Sequence, residues 1–160
     1  LALSASYNPK PGTAAAPETA ESGYAVIYSG LMDGLELSAG LFDDGDTAEN
    51  DTVGVKYTMG SVTAAYQITN VDYEATGSTD QDASHYGISV AINEDLSISA
   101  GRQEIEFDGA ADDEVNTGLM ASYTMGSIAI GGGFNSVESV GGSATAEDID
   151  ASIFNIAFSF

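Results

Sequence analysis

The 160-residue chain contains no cysteine and only three basic residues, Lys10, Lys56 and Arg102. Without cysteine there are no disulfides, no thiolate nucleophile and no Cys-ligated zinc. Three cations face 25 carboxylic acids, a formal net charge of −22. Neutralising a phosphate backbone needs clustered Lys and Arg, so a nucleic-acid partner is excluded. The same shortage excludes a polybasic anchor on an anionic membrane surface. No apolar run approaches ~18 residues, so the chain encodes no transmembrane helix. Barrel strands remain open to it, since each needs only ~9–11 alternating residues to cross a bilayer. Strong acidity often marks disorder, but 43% of the residues are apolar and they alternate regularly. One domain, residues 1–160, fits the length. The first residues, Leu1 to Tyr7, already read as strand with no initiator Met, which points to a mature or truncated product.

What the chain has in abundance is period-two alternation. Successive side chains of a strand point to opposite faces. In the last segment Ser152, Phe154, Ile156, Phe158 and Phe160 share one parity, and Ala151, Ile153, Asn155, Ala157 and Ser159 the other. One face is bulky and aromatic; the other is small and mostly weakly polar. The same pattern predicts ten strands, over 1–7, 22–32, 35–42, 52–59, 62–73, 84–92, 96–107, 116–124, 128–138 and 148–160.

The connections alternate strictly between two kinds. Short ones are Asp33-Gly34, Gly60-Ser61, Asn93-Glu94-Asp95 and Met125-Gly126-Ser127. Glycine supplies the positive φ that tight hairpins require. Long ones are 8–21, 43–51, 74–83, 108–115 and 139–147, and by these boundaries they hold 15 of the 25 acidic residues. Short turns at one end and long loops at the other are the topology of a transmembrane barrel. A soluble meander has no reason to keep that asymmetry. An internal echo supports it: Val55-Lys-Tyr-Thr-Met-Gly-Ser-Val62 repeats as Ala121-Ser-Tyr-Thr-Met-Gly-Ser-Ile128. Each copy sets a tyrosine, Tyr57 or Tyr123, three residues before a turn glycine, where an interfacial ring would sit.

Several strands give clean faces. Leu35, Leu37, Ala39 and Leu41 oppose Glu36, Ser38 and Gly40; Tyr86, Ile88 and Val90 oppose His85, Gly87 and Ser89. Gly, Ser and Ala are odd choices for a solvent face and suit a barrel lumen. Residues 24–32 are apolar on both parities and remain unoriented. In 96–107 the parity of Leu96, Ile98 and Ala100 runs on into Arg102, Glu104 and Glu106. Either a bulge near Gly101 swaps the faces or the strand has left the membrane by then. A charge facing mid-bilayer lipid costs roughly 2–4 kcal/mol, so Arg102 is assigned toward water.

Catalytic chemistry is almost absent. The single histidine, His85, has no second histidine and no motif partner nearby, so it reads as a lumen or rim residue, and no enzyme is expected. The loop residues Asp43, Asp44, Asp46, Glu49 and Asp51 are rich in oxygen ligands and form a candidate Ca²⁺ site, although they miss the helix-loop-helix spacing; solvated surface charge is the competing reading. No other cofactor is indicated.

Taken together, the aromatic terminal strand ending in Phe154, Phe158 and Phe160, the Tyr-x-x-Gly hairpins, the Asp/Gly-rich loops and the lack of cysteine make the chain resemble the C-terminal part of a general bacterial outer-membrane porin of alphaproteobacterial type. The resemblance implies an all-β, antiparallel, up-and-down transmembrane barrel with ten strands in this chain, the last ten of sixteen. It implies outer-membrane lipid as solvent, a homotrimer, and passive diffusion of ions and small hydrophilic solutes. The missing N-terminal strands of the same protein would then complete the barrel and carry the constriction loop. Glu36, Lys56, His85, Arg102 and Asn155 are the expected lumen residues. The acidity predicts a preference for cations if loop charge reaches the mouth. Two other classes stay open on sequence: a small outer-membrane barrel that recognises or adheres through its acidic loops, and a soluble, secreted, acidic β-sandwich.

Overall fold

The computed structural model describes residues 1–9, 20–45, 47–74 and 77–158. Ten strands run β1 (Ala2–Asn8), β2 (Glu21–Tyr28), β3 (Leu35–Asp43), β4 (Ala48–Met59), β5 (Val62–Tyr73), β6 (Gln81–Ala91), β7 (Leu96–Phe107), β8 (Glu114–Met125), β9 (Ile128–Glu138) and β10 (Ile149–Phe158). They form one antiparallel sheet in strict chain order, so every strand pairs with its sequence neighbour. β1 and β10 are its edges. Strands β4 to β8 are 11 or 12 residues long, enough to cross a bilayer at a tilt.

The two echoed hairpins close identically. Met59 pairs with Val62 and Met125 with Ile128, leaving two-residue loops whose first residue, Gly60 or Gly126, has φ near +60°. The second loop is thus Gly126-Ser127, one residue shorter than predicted. The β6–β7 connection is held by Asn93, whose Oδ1 accepts the backbone N–H groups of Asp95 and Leu96, each at 2.9 Å.

Three boundaries differ from expectation by three residues or more. β2 stops pairing at Tyr28 rather than 32, because Met32 to Leu35 close their own turn (Leu35 N to Met32 O, 3.2 Å) with Gly34 at φ +76°. β4 begins at Ala48 rather than 52, and β6 at Gln81 rather than 84. Before β4 the Asp44 carboxylate accepts N–H groups of Thr47 and Ala48 at 2.7 and 2.9 Å, and before β6 the Asp80 carboxylate accepts the Tyr73 N–H at 2.7 Å, so each loop tightens and the strand extends. Glu21, Asp43, Glu49, Asp51, Asp82 and Glu114, read as loop charge, therefore lie within strands.

The described residues form no hydrophobic core. Ala48 is the one buried apolar residue among those described, while Phe154 is 71% exposed and Leu41 61%. A β-sandwich requires a second sheet ~10 Å away burying such a face, and a single layer provides none. The soluble sandwich is thereby ruled out. Exposed apolar area on this scale belongs against lipid or a partner.

Candidate functional site

Register assigns every strand residue to a face, since directly opposed residues point the same way. One face carries Leu37, Val55, Tyr66, Ile88, Leu119, Phe134 and Phe154, with seven of the eight tyrosines (Tyr7, Tyr24, Tyr28, Tyr57, Tyr66, Tyr86, Tyr123). The other carries serine, threonine, glycine, alanine and amides. It also resolves the segment that alternation left unoriented: Tyr24, Val26 and Tyr28 take the apolar face, Ala25 and Ile27 the polar one.

On the apolar face the strands β2 to β10 turn polar toward the long-loop end. The continuous apolar run ends at Tyr24 on β2, Leu41 on β3, Val53 on β4, Ile68 on β5, Tyr86 on β6, Ala100 on β7, Leu119 on β8, Phe134 on β9 and Phe154 on β10, and beyond it on these strands only Val115 of β8 is apolar. In register, this border drops by two residues at four places: Leu41 faces Asp51, Ile68 faces Ser84, Tyr86 faces Arg102, and Phe134 faces Ser152. Eight residues over eight strand-to-strand steps is one residue, ~3.3 Å, for each ~4.8 Å of lateral spacing. If the border is level with a membrane, the strands tilt by about 35°, within the range of transmembrane barrels. Aromatics mark both borders: Tyr24, Tyr86, Phe134 and Phe154 at the loop side, and Tyr28, Tyr57, Tyr123 and Phe158 near the short turns. Only the turn-side set with Tyr57 and Tyr123 was legible from the hairpin echo. Phe160 lies outside the described residues.

The polar face is stitched by cross-strand hydroxyl pairs: Thr52 with Thr69 at 3.1 Å, Thr58 with Thr63 at 3.0 Å, and Ser97 with Ser122 at 3.0 Å. Over its middle lies a cavity of about 510 Å³. Twelve of its sixteen lining residues are polar-face positions, among them Glu36, Lys56, Gln67, His85, Gln103 and Asn116; the remaining four, Val55, Tyr66, Tyr86 and Arg102, are strand neighbours of these. Lys56 Nζ and Glu36 Oε1 are 2.7 Å apart across β3 and β4. Asn155 stands on the same face farther along, its side chain filling the space a Cβ at Gly131 would need.

Arg102 corrects the expectation that grouped it with these residues. β7 pairs without interruption from Ser97 to Phe107, so no bulge at Gly101 swaps its faces. Arg102 opposes Tyr86 and Thr117 on the apolar side, at the first position beyond the border. There its guanidinium engages Glu104 at 2.6 and 3.0 Å. The strand has passed the apolar band by that level, which is the second of the two explanations the alternation allowed.

The candidate Ca²⁺ loop is arranged around its own backbone. Asp43 Oδ1 accepts the Gly45 N–H at 2.6 Å, Asp44 holds Thr47 and Ala48, and Asp51 accepts an N–H of Asn70 at 3.0 Å. Asp43 and Glu49 are register partners on the apolar-face side. Among the described residues, which exclude Asp46, no three His, Cys, Asp or Glu groups are gathered as metal ligands.

One further element escaped the sequence. After β9 the chain makes a 3₁₀ turn, Val140–Gly142, with Ser139, Gly141 and Gly142 all at positive φ. Glu114 accepts the Gly141 N–H at 2.9 Å, Asp112 N–H meets Gly142 O at 3.2 Å, and the Phe107 ring approaches Gly142. Glu114 and Phe107 are polar-face positions, so this loop folds over that face at the loop end of β7 and β8. The Ser-Val-Gly-Gly run was its only signal.

Known proteins agree with this geometry. A family model described as Gram-negative porin matches residues 1–160. Among solved structures, a porin aligns with TM-score 0.73 at 17% identity, covering 99% of this chain and 57% of that one. OccK8 (OprE) of Pseudomonas aeruginosa aligns with TM-score 0.69 at 12% identity, covering 96% and 52%. OccK5 (OpdH) of the same organism aligns with TM-score 0.67 at 13% identity, covering 95% and 51%. At such identities the likeness establishes the fold, and this chain spans little more than half the length of these porins. No curated protein sequence matches it. With the apolar band meeting lipid and the family model covering every residue, the chain belongs to the Gram-negative porins of the bacterial outer membrane.

Proposed function

We propose that the polar face lines a water-filled channel through which ions and small hydrophilic solutes diffuse passively. The observation that carries this is the division of faces: serine, threonine, glycine and amide side chains on one, a banded apolar surface on the other. A lumen of that kind holds water, whereas a plugged barrel fills its interior with packed side chains. Glu36, Lys56, His85 and Asn155 are the wall residues of the original set; Arg102 belongs to the lipid-side rim. His85 has no catalytic partner, so no reaction is assigned to it.

Further strands of the same protein would close the sheet against β1 and β10, because an open edge in hydrocarbon leaves backbone N–H and C=O groups unpaired. A sixteen-stranded closure and a homotrimer are the assembly we propose, following the family. Cation preference would arise from Glu21, Glu36 and Glu114 on the polar face against Lys56 alone among the described strand positions. The test is the full-length protein in a planar bilayer: stable conductance steps and a reversal potential of cation-selective sign in a KCl gradient are expected. A protein that inserts and yet passes no ions refutes the channel; steps with an anion-selective potential refute only the preference.

A further inference from the structure

Four polar side chains stand in one register row. Gln67 opposes His85, His85 opposes Gln103, and Gln103 opposes Asn116, so four adjacent strands present them side by side, ~4.8 Å apart. The next row toward the short turns is Ala65, Gly87, Gly101 and Gly118, which is nearly bare backbone. Together they make a polar rail above a flat floor, inside the 510 Å³ cavity.

The rail is incompletely used by the protein itself. The side chains of His85 and Gln103 make no hydrogen bond or ion pair among the described residues, and Gln67 and Asn116 each donate one amide hydrogen, to Thr69 Oγ1 at 3.1 Å and Glu114 Oε1 at 2.9 Å. Their amide oxygens are left over as acceptors. Of the full charges beside the shelf, Lys56 is held by Glu36, and the Glu114 carboxylate accepts from Asn116 and the Gly141 N–H. The shelf therefore offers both donors and acceptors but, among the described residues, no free cation.

We propose that Gln67, His85, Gln103 and Asn116 form a lumenal subsite for an uncharged polyhydroxylated solute of monosaccharide size. Amides and imidazole donate and accept, as hydroxyls do. The glycine floor lets a ring lie close to the wall, and a few placed polar groups over a concave surface are what orient a small ligand. An anionic solute would give up hydration there with no free cation to replace it. The inference rests on the diffusion-channel reading and narrows it.

The test is the conductance of the full-length porin with glucose, gluconate, or a polyethylene glycol of glucose-like radius added to the bath. Glucose is expected to lower the current saturably, while the polymer lowers it in proportion to concentration and gluconate does not saturate. The variant His85→Leu/Gln103→Leu should raise the half-blocking glucose concentration roughly tenfold or more, the scale of losing two hydrogen bonds, with block read relative to each protein's own glucose-free conductance. If the double variant fails to insert, Gln103→Leu alone carries the comparison. Glucose behaving like the polymer, gluconate saturating equally well, or a variant blocked like the wild type each overturns the subsite while leaving the channel standing. No conductance steps from the wild type would overturn both.

Discussion

Ala64 and Ala65 are consecutive on β5 and face opposite ways: Ala64 opposes Tyr57 and Ile88, Ala65 opposes Lys56 and Gly87. Both are exposed, so arginine meets no packed core at either. From Asn70, the first polar residue on the apolar side of β5, to the turn at Gly60 is ten residues, ~33 Å of strand. At a tilt of about 35° that is ~27 Å of membrane normal, close to the ~25 Å apolar band of such barrels. Ala64, four residues above Gly60, lies ~11 Å from the turn end and so near the midplane. Ala64→Arg should cost roughly 2–4 kcal/mol, against less than about 1 kcal/mol for Ala65→Arg, whose main penalty is a like charge across from Lys56. Denaturant titration of the full-length protein in phospholipid bilayers reads both costs as midpoint shifts at constant slope. Channel recordings should then show Ala65→Arg altering conductance. Equal costs, or the larger cost at Ala65, would show that the faces are assigned the wrong way round.

Three further outcomes follow from individual contacts. Gly34→Ala should destabilise by more than Gly77→Ala, since both residues have positive φ but only at Gly34 would a Cβ strike a backbone oxygen, that of Thr58; the conformational part alone is about 1–2 kcal/mol, and equal unfolding midpoints would refute the steric part. Lys56→Gln should change stability by under about 1 kcal/mol, because its ion pair with Glu36 is half-exposed. It should also shift the reversal potential toward cations by leaving Glu36 uncompensated; an unchanged potential would remove that pair from the conducting path. Glu114→Ala takes away the acceptor of the Gly141 N–H, so protease cleavage within 139–148 should speed up in the folded protein, and wild-type kinetics would mean the loop is held by Phe107 and the Asp112 backbone instead.

The alternation was legible because a strand repeats every two residues whatever its neighbours are. It gave the number of strands and both faces of β3, β4, β6 and β10 from one dimension. It failed where information lies between strands. Gln67, His85, Gln103 and Asn116 are 18, 18 and 13 residues apart, intervals that depend on hairpin length and carry no chemical signal; only register makes them neighbours. Arg102, grouped with the lumen residues on sequence, likewise found its side only through pairing across Gly101, which excludes a bulge. The third failure was compositional. Asp43, Glu49, Asp51 and Asp82 were read as loop because acidic residues disfavour strands on average. That average describes half-buried sheets, and a strand emerging from a bilayer into water has no such constraint.

That last point locates the chain's charge. On the apolar side, beyond the border, stand Asp43, Glu49, Asp51, Asp72, Asp82, Glu104, Glu106, Glu138 and Asp150 against Arg102; on the polar face, described strand positions carry only Glu21, Glu36 and Glu114 against Lys56. Were acidity a device of the channel alone, carboxylates would crowd the polar face and the outward one would stay neutral to its rim. The arrangement is the reverse, and its limit is the apolar border that steps one residue per strand. Within the band a carboxylate facing lipid is disfavoured; a few ångströms beyond it the penalty falls away and acids accumulate on every strand from β3 to β7. Of the net charge of −22, the outward strand positions therefore carry four times as much as the polar face. Selectivity must then be set locally, where screening over a Debye length of ~8 Å leaves the outward acids little influence and the few charged wall residues most of it.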